Sequence, residues 1–132
     1  MNRERLQLMV EMLEEVEAGT WVPTDDTNLP SMLRPTESVS FNMRHWGGPK
    51  GLCGYAACAV GHACMDSRFP RLDNKSELSI APRCGAEVGW GAVYRFFDLT
   101  AEEAKHLFSD EKYAVTPSPR CVIARINTLL RQ

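Results

Sequence analysis

Five cysteines and three histidines are the residues of this sequence that could bind a metal ion or attack a substrate. Cys58, His62 and Cys84 are the best candidates for zinc ligands, because a helix would place Cys58 and His62 on one face. The sequence contains no Cys-x-x-Cys pair, although structural zinc sites usually have one. The pattern therefore favours cysteines that pack as small hydrophobic side chains, and it predicts no metal and no cofactor.

A reactive thiol is the second chemistry that the sequence allows. Cys53 would become more nucleophilic if it lay near a helix N-terminus, where the pKa of a thiol is lowered. If one helix held both Cys53 and Cys58, their Cα atoms would be about 8.7 Å apart, which is beyond the reach of a disulfide. The serines are scattered, and neither a nucleophile elbow nor a phosphate-binding glycine loop occurs. We therefore predict no catalytic residue, with a metal- or thiol-dependent enzyme as an alternative.

Two segments without helical periodicity carry the side chains that are typical of protein interfaces. Residues 20–50 are interrupted by prolines and glycines, and residues 66–83 form a second loop. Arginine and aromatic residues on such loops are common interface anchors. Trp46 could be such an interface anchor, and it could equally well be a side chain that packs over the hydrophobic core. The predicted partner-binding residues are Arg44, His45, Trp46, Arg68 and Arg71.

A helix–turn–helix is a third possibility, because Phe97-Asp98-Leu99-Thr100 joins two short helical segments. Glu102 and Glu103 would then lie in the first turn of the second helix, where their charge opposes DNA binding. Thr100 and Glu103 also form a capping box, which explains the same residues without DNA. The net formal charge of −2 gives no argument for nucleic acid or an anionic membrane. A DNA-binding regulator remains an alternative.

Length and composition indicate one soluble domain. A chain of 132 residues can form one core, and its hydrophobic fraction of 44% and charged fraction of 24% are ordinary. The N-terminal residues lack the apolar run of a signal peptide, and no stretch is long enough for a membrane span. Without an export signal, an odd number of cysteines indicates reduced thiols in the cytoplasm.

Apolar periodicity predicts an all-α, mainly helical domain with four to five helices and two long loops. Residues 3–18 form the first helix, capped by Asn2 and Gly19, and its wide apolar stripe favours burial on two sides over a homodimer contact. The small residues 53–65 predict a central helix that neighbours can approach closely. Further helices are expected over residues 85–97, 101–108 and 119–130. The single domain 1–132 thus divides into an N-terminal helix (1–19), a long loop (20–50) and a helical core (53–130).

Three segments of the sequence carry a distinctive pattern: Phe41-Asn-Met-Arg-His-Trp46, Cys53-Gly-x-x-Ala-Cys58-x-x-Gly61-x-Ala63 and Asp98-Leu-Thr-x-x-Glu103-Ala104-x-x-Leu107-Phe108. These segments resemble a group of small uncharacterised proteins of bacteria and their phages. That group has a Phe-Asp-Met…Trp segment, a Cys-Gly-Thr-x-x-Cys-x-x-Gly-Trp-Ala segment and a Leu-Gly-Leu-Ser/Thr…Glu-Ala…Leu-Phe segment. This chain differs at Tyr55, His62 and Asp98, where the group has threonine, tryptophan and glycine. The resemblance covers about residues 40–130 and implies a cytosolic phage or bacterial setting and a shared helical scaffold.

These observations predict a non-enzymatic interaction protein, encoded by a phage or prophage, that binds a bacterial host protein through its loops. Inhibition of a host or defence system is the further hypothesis. No membrane or nucleic-acid partner is expected, and a homodimer remains open.

Overall fold

The structure, a computed structural model, describes residues 1–24, 39–43, 48–49, 55–73 and 82–132. Within these ranges the chain is mainly helical, as predicted, and it also contains two small β-sheets. One hydrophobic core joins the helices. The helices are α1 (Arg3–Ala18), α2 (Ala59–Cys64), α3 (Trp90–Phe97), α4 (Ala101–Phe108) and α5 (Pro119–Leu130).

The two sheets are a finding that the helical periodicity did not predict. In the first sheet the central strand β3 (Tyr55–Ala57) runs parallel to β1 (Val39–Phe41) and antiparallel to β2 (Gly48–Pro49). Two of these strands fall inside the predicted long loop 20–50, so that prediction is wrong at those positions. Strands of two or three residues are too short to show an apolar alternation. The strands are β1 (Val39–Phe41), β2 (Gly48–Pro49), β3 (Tyr55–Ala57), β4 (Arg83–Cys84) and β5 (Glu87–Val88).

The first helix is the central element of the core. The Asn2 side chain accepts a hydrogen bond from the backbone N–H of Arg5 at 3.0 Å, and Gly19 ends the helix in the left-handed conformation. Both predicted caps are therefore confirmed. The wide apolar stripe is also buried, since Met12 is fully enclosed and Leu8 packs against the core.

The predicted helix over residues 53–65 is wrong in its first half. Residues 55–57 pair as strand β3, and the helix begins only after Cys58. Cys58 has an extended backbone, and its Sγ accepts a hydrogen bond from the N–H of Gly61 at 3.4 Å, so it acts as the N-cap. Every residue of α2 is buried, which confirms that the small side chains serve close packing. Cys53 lies outside the described residues.

The predicted helix over residues 85–97 begins five residues later than expected, at Trp90. Strands β4 and β5 form an antiparallel hairpin before it. Gly85 in the hairpin turn and Gly89 at the helix start have φ angles of +61° and +69°, which glycine adopts far more readily than other residues. These two backbone conformations are incompatible with a continuous helix. The predicted apolar stripe is confirmed from Val93 to Phe97.

The last helix packs along the first. The Arg3 guanidinium donates hydrogen bonds to the carbonyl oxygens of Leu130 and Gln132 at 2.6 and 2.9 Å. Arg120 lies 3.9 Å from a carboxylate oxygen of Glu17 at the opposite end of the helix pair. The acidic first helix and the arginine-bearing last segment are thus partners within one domain.

Candidate functional site

Four arginines from separate parts of the chain line one cleft of about 470 Å³. They come from α1, from the segment after α2, from β4 and from α3. Among the lining residues that the structure describes, four positive groups face one carboxylate, so the formal charge of the lining is +3 in a protein of net charge −2. A local excess of this kind attracts anions. We call it the arginine cleft, and its lining consists of Arg5, Arg71, Asp73, Arg83, Cys84, Gly85 and Arg95.

Arg5 is held in the cleft by the C-terminal end of α3. The backbone N–H of Asn2 donates to the carbonyl of Phe97 at 2.8 Å, and Nη1 of Arg5 donates to the carbonyl of Phe96 at 2.7 Å. Carbonyls in the last turn of a helix have no partner within the helix, so they are free to accept these bonds. The Arg5 guanidinium also lies over the Phe96 ring, 4.0 Å from its centroid. Arg5 therefore has a fixed position before any ligand binds.

Arg83 is held by a two-point contact with Asp73. Its Nε and Nη2 donate to the two carboxylate oxygens of Asp73 at 3.0 and 3.1 Å. The backbones of the same residues form a bridge, with N···O distances of 3.0 and 2.6 Å. The planar guanidinium matches the carboxylate geometry, which fixes its orientation.

Arg71 and Arg95 are the adjustable cations of the cleft. Both are exposed, and neither forms an ion pair or a side-chain hydrogen bond in the part of the chain that the structure describes. Arg71 has a φ angle of +76°, a conformation that costs an arginine roughly 1–2 kcal/mol. Strained backbone of this kind is concentrated at functional sites. These two guanidinium groups can turn towards an incoming anion.

Arg68, by contrast, is used within the molecule. Its Nε and Nη2 donate to the carboxylate of Asp66 at 2.9 and 2.7 Å, and its Nη1 donates to Glu15 at 2.6 Å. Of the two predicted partner-binding residues within the described ranges, Arg71 lies in the arginine cleft and Arg68 does not. Arg44, His45 and Trp46 lie outside the described residues, and their interface role stays a prediction.

Asp66 is a buried carboxylate, 2% exposed, at the centre of this contact. The indole N–H of Trp21 donates to it at 2.8 Å, in addition to the bonds from Arg68. Burial raises the pKa of Asp66, but the hydrogen bonds from Arg68 and Trp21 outweigh burial and hold the pKa below its usual value. We call Glu15, Trp21, Asp66 and Arg68 the Asp66 network, and its role is to join α1 to the segment after α2.

The candidate metal ligands are not brought together. Among the described residues no three histidine, cysteine or acidic side chains form a group that could hold a metal ion. His62 is fully buried, with Nδ1 at 2.9 Å from the carbonyl of Cys58 and its ring 4.6 Å from that of Trp21. Burial raises the pKa of the Cys58 thiol to about 11. Cys84 lies elsewhere, on β4 in the arginine cleft.

The two helices of the predicted helix–turn–helix are present as α3 and α4. Asp98 between them takes a φ angle of +52°, and Thr100 and Glu103 form the predicted capping box. The acidic residues occupy the first turn of α4, as the sequence indicated. DNA binding through this turn stays a prediction that the charge disfavours.

Sequence reasoning missed three of the four arginines in the cleft. Arg5, Arg83 and Arg95 lie far apart along the chain, and no local motif connects them. The glycines of the hairpin are the signal that could have placed Arg83 beside a turn. The convergence itself depends on tertiary packing.

Comparisons with family models, curated proteins and solved structures find no match for this chain. The resemblance to small bacterial and phage proteins therefore stays a prediction. None of the helices in the described ranges has both the length and the apolar character that crossing a membrane requires.

Proposed function

We propose that this protein is a non-enzymatic interaction protein of the bacterial cytoplasm and that its arginine cleft binds an acidic segment of a partner protein. The observation that supports the proposal is the +3 formal charge of the lining, with two guanidinium groups that have no anionic partner among the described residues. An arginine guanidinium group can donate two parallel hydrogen bonds to one carboxylate, and arginine clusters are common in proteins that recognise acidic motifs.

The chemistry of the lining favours binding over catalysis. Guanidinium groups stay protonated at every physiological pH, so they hold and orient anions but do not exchange protons with a substrate. Asp73, the carboxylate of the lining, is already engaged by two nitrogens of Arg83. The cleft is therefore suited to recognition.

The charge of α1 favours a protein over a nucleic-acid duplex. The helix that supplies Arg5 also exposes Glu4, Glu11 and Glu14, and these carboxylates would repel an extended phosphate backbone. A short acidic segment could be bound within the cleft alone, where arginines outnumber the carboxylate of Asp73. The resemblance to small phage and bacterial proteins supports a bacterial host or defence protein as the partner class, and inhibition of that protein is part of the proposal.

The test compares variants of the cleft with a matched variant outside it. A partner is isolated from bacterial lysate on the immobilised protein, and its dissociation constant is then measured with purified components. Each charge-assisted hydrogen bond contributes about 1.5–3 kcal/mol, so Arg71→Gln and Arg95→Gln should each weaken binding roughly 10- to 150-fold. Arg131→Gln, at an exposed arginine outside the cleft, should leave binding unchanged. A partner that binds all three variants equally well would refute the role of the cleft.

A further inference from the structure

We infer that the segment bound by the arginine cleft carries a phosphorylated side chain. The inference rests on the proposed function, and it specifies which acidic group the cleft prefers. It follows from the charge of the lining, from the contact between Asp73 and Arg83, and from the difference between fixed and adjustable arginines.

The charge of the lining exceeds what one carboxylate can balance. Among the lining residues that the structure describes, four guanidinium groups and one carboxylate leave a formal charge of +3. A carboxylate brings one negative charge, whereas a phosphorylated side chain brings about 1.5 to 2 at neutral pH. A single phosphate therefore balances most of the cleft, and acidic neighbours in the same segment would balance the remainder.

Asp73 limits how an incoming anion can bind Arg83. It already occupies Nε and Nη2 of Arg83 at 3.0 and 3.1 Å, and the backbone bridge between the two residues holds it there. An incoming carboxylate offers Arg83 the same chemistry as Asp73 but must first be ordered. A phosphate offers three acceptor oxygens and a larger charge, so it can bind alongside Asp73 through the remaining nitrogen of Arg83.

The arrangement of the arginines suits a tetrahedral group. Arg5 is fixed by the Phe96 carbonyl and ring, whereas Arg71 and Arg95 are exposed and have no anionic partner in the described ranges. Phosphate oxygens point in several directions, so one phosphate can accept from guanidinium groups that approach from different elements. The two oxygens of a carboxylate lie in one plane and satisfy fewer of them.

The test uses three small probes on the isotope-labelled full chain. N-acetyl-phosphoserine amide, N-acetyl-glutamate amide and inorganic phosphate are titrated separately at constant ionic strength, and backbone and arginine Nε–H signals are followed by NMR. We expect the phosphoserine probe to bind at least 10-fold more tightly than the glutamate probe and more tightly than inorganic phosphate. Arg71→Gln and Arg95→Gln should each lower its affinity about 10-fold, and Arg131→Gln should not change it. The spectra themselves show whether each variant is folded.

The outcomes separate the inference from the proposed function. Equal affinity for the phosphoserine and glutamate probes, with both lost in Arg71→Gln, overturns the phosphate preference and leaves the acidic-partner proposal standing. Equal affinity for inorganic phosphate overturns the assignment to a phosphorylated segment. If no probe shifts signals of the cleft, both proposals fail. A single-stranded oligonucleotide that binds more tightly than a phosphopeptide of equal charge overturns the inference in favour of nucleic acid.

Asp73→Asn tests the role of Asp73. Without the competing carboxylate, Arg83 can offer the glutamate probe a two-point contact, so this probe should bind the variant more tightly than it binds the wild type. An unchanged affinity for the glutamate probe in a folded Asp73→Asn protein would contradict the role assigned to Asp73.

Discussion

Replacement of Asp66 by asparagine should destabilise the fold strongly, although the side chain changes little in size. The carboxylate is almost completely buried, and it accepts hydrogen bonds from Trp21 and from the Arg68 side chain and backbone. Asparagine removes the charge and places an NH₂ group, a hydrogen-bond donor, against the guanidinium group of Arg68, which can only donate. Breaking a fully buried ion pair costs about 3–5 kcal/mol. Because Arg68 keeps Glu15 as a partner and its side chain is 27% exposed, we expect a lower cost, about 2–3 kcal/mol.

This cost converts into a shift in melting temperature. An unfolding entropy of about 2.1 cal/mol/K per residue gives about 280 cal/mol/K for 132 residues. Asp66→Asn should therefore melt about 7–11 °C below the wild type by circular dichroism. Glu14→Gln, an exposed acid-to-amide change on α1, should stay within about 2 °C.

The pH dependence provides a second measurement of the same contact. The folded pKa of Asp66 lies below its unfolded value of 3.8, so its contribution is present above that pH and is lost as the pH falls through the folded pKa. The stability difference between wild type and Asp66→Asn should shrink in that acidic range. If Asp66→Asn melts at the same temperature as the wild type at pH 7, the contact between Asp66 and Arg68 contributes little to stability, and the reasoning is refuted.

Three further measurements follow from single side chains. Arg71→Gly should leave the melting temperature unchanged or raise it by about 2–4 °C, because glycine accepts the positive φ angle, while it weakens anion binding in a titration; a lower melting temperature would contradict the strain. Among the cysteines that the structure describes, Cys121 should react first with a thiol reagent, since a hydrogen bond from the Ser118 hydroxyl lowers its pKa. Ser118→Ala should slow that reaction, and Cys58 should react only on unfolding. Tyr113 should titrate near pH 12 by absorbance at about 295 nm, because burial raises its pKa to about 12. Its contribution to stability is full below pH 10 and is lost as the pH rises through 12, so an ordinary phenol titration in the folded protein would exclude the burial.

The helix ends were predictable because capping is local. Asn2, Gly19 and the pair Thr100 and Glu103 act on backbone groups within four residues of themselves, and each occupies its predicted position. Apolar stripes identified the buried faces for the same reason. The mainly helical class could therefore be read from the sequence.

The features that the sequence did not predict depend on residues distant in the chain or on backbone geometry. Strand β3 forms because residues 55–57 pair with residues 39–41, and no pattern within either segment indicates that pairing. Gly85 and Gly89 fall inside the predicted helix over residues 85–97, although their positive φ angles define the hairpin and the start of α3. The arginine cleft needs α1, β4 and α3 to meet, which follows from packing and has no sequence signal.

Because Arg5 is fixed by the Phe96 carbonyl and ring, the geometry of the arginine cleft depends on how α1 packs against α3. A shift of α1 by a single residue along its axis would move the Arg5 guanidinium by about 1.5 Å, which is enough to break a hydrogen bond. Substitutions of buried residues between α1 and α3 would then lower the affinity for the ligand, although these residues do not contact it. In a mutational scan of ligand binding, such buried positions should show the same loss of affinity as the exposed arginines of the cleft.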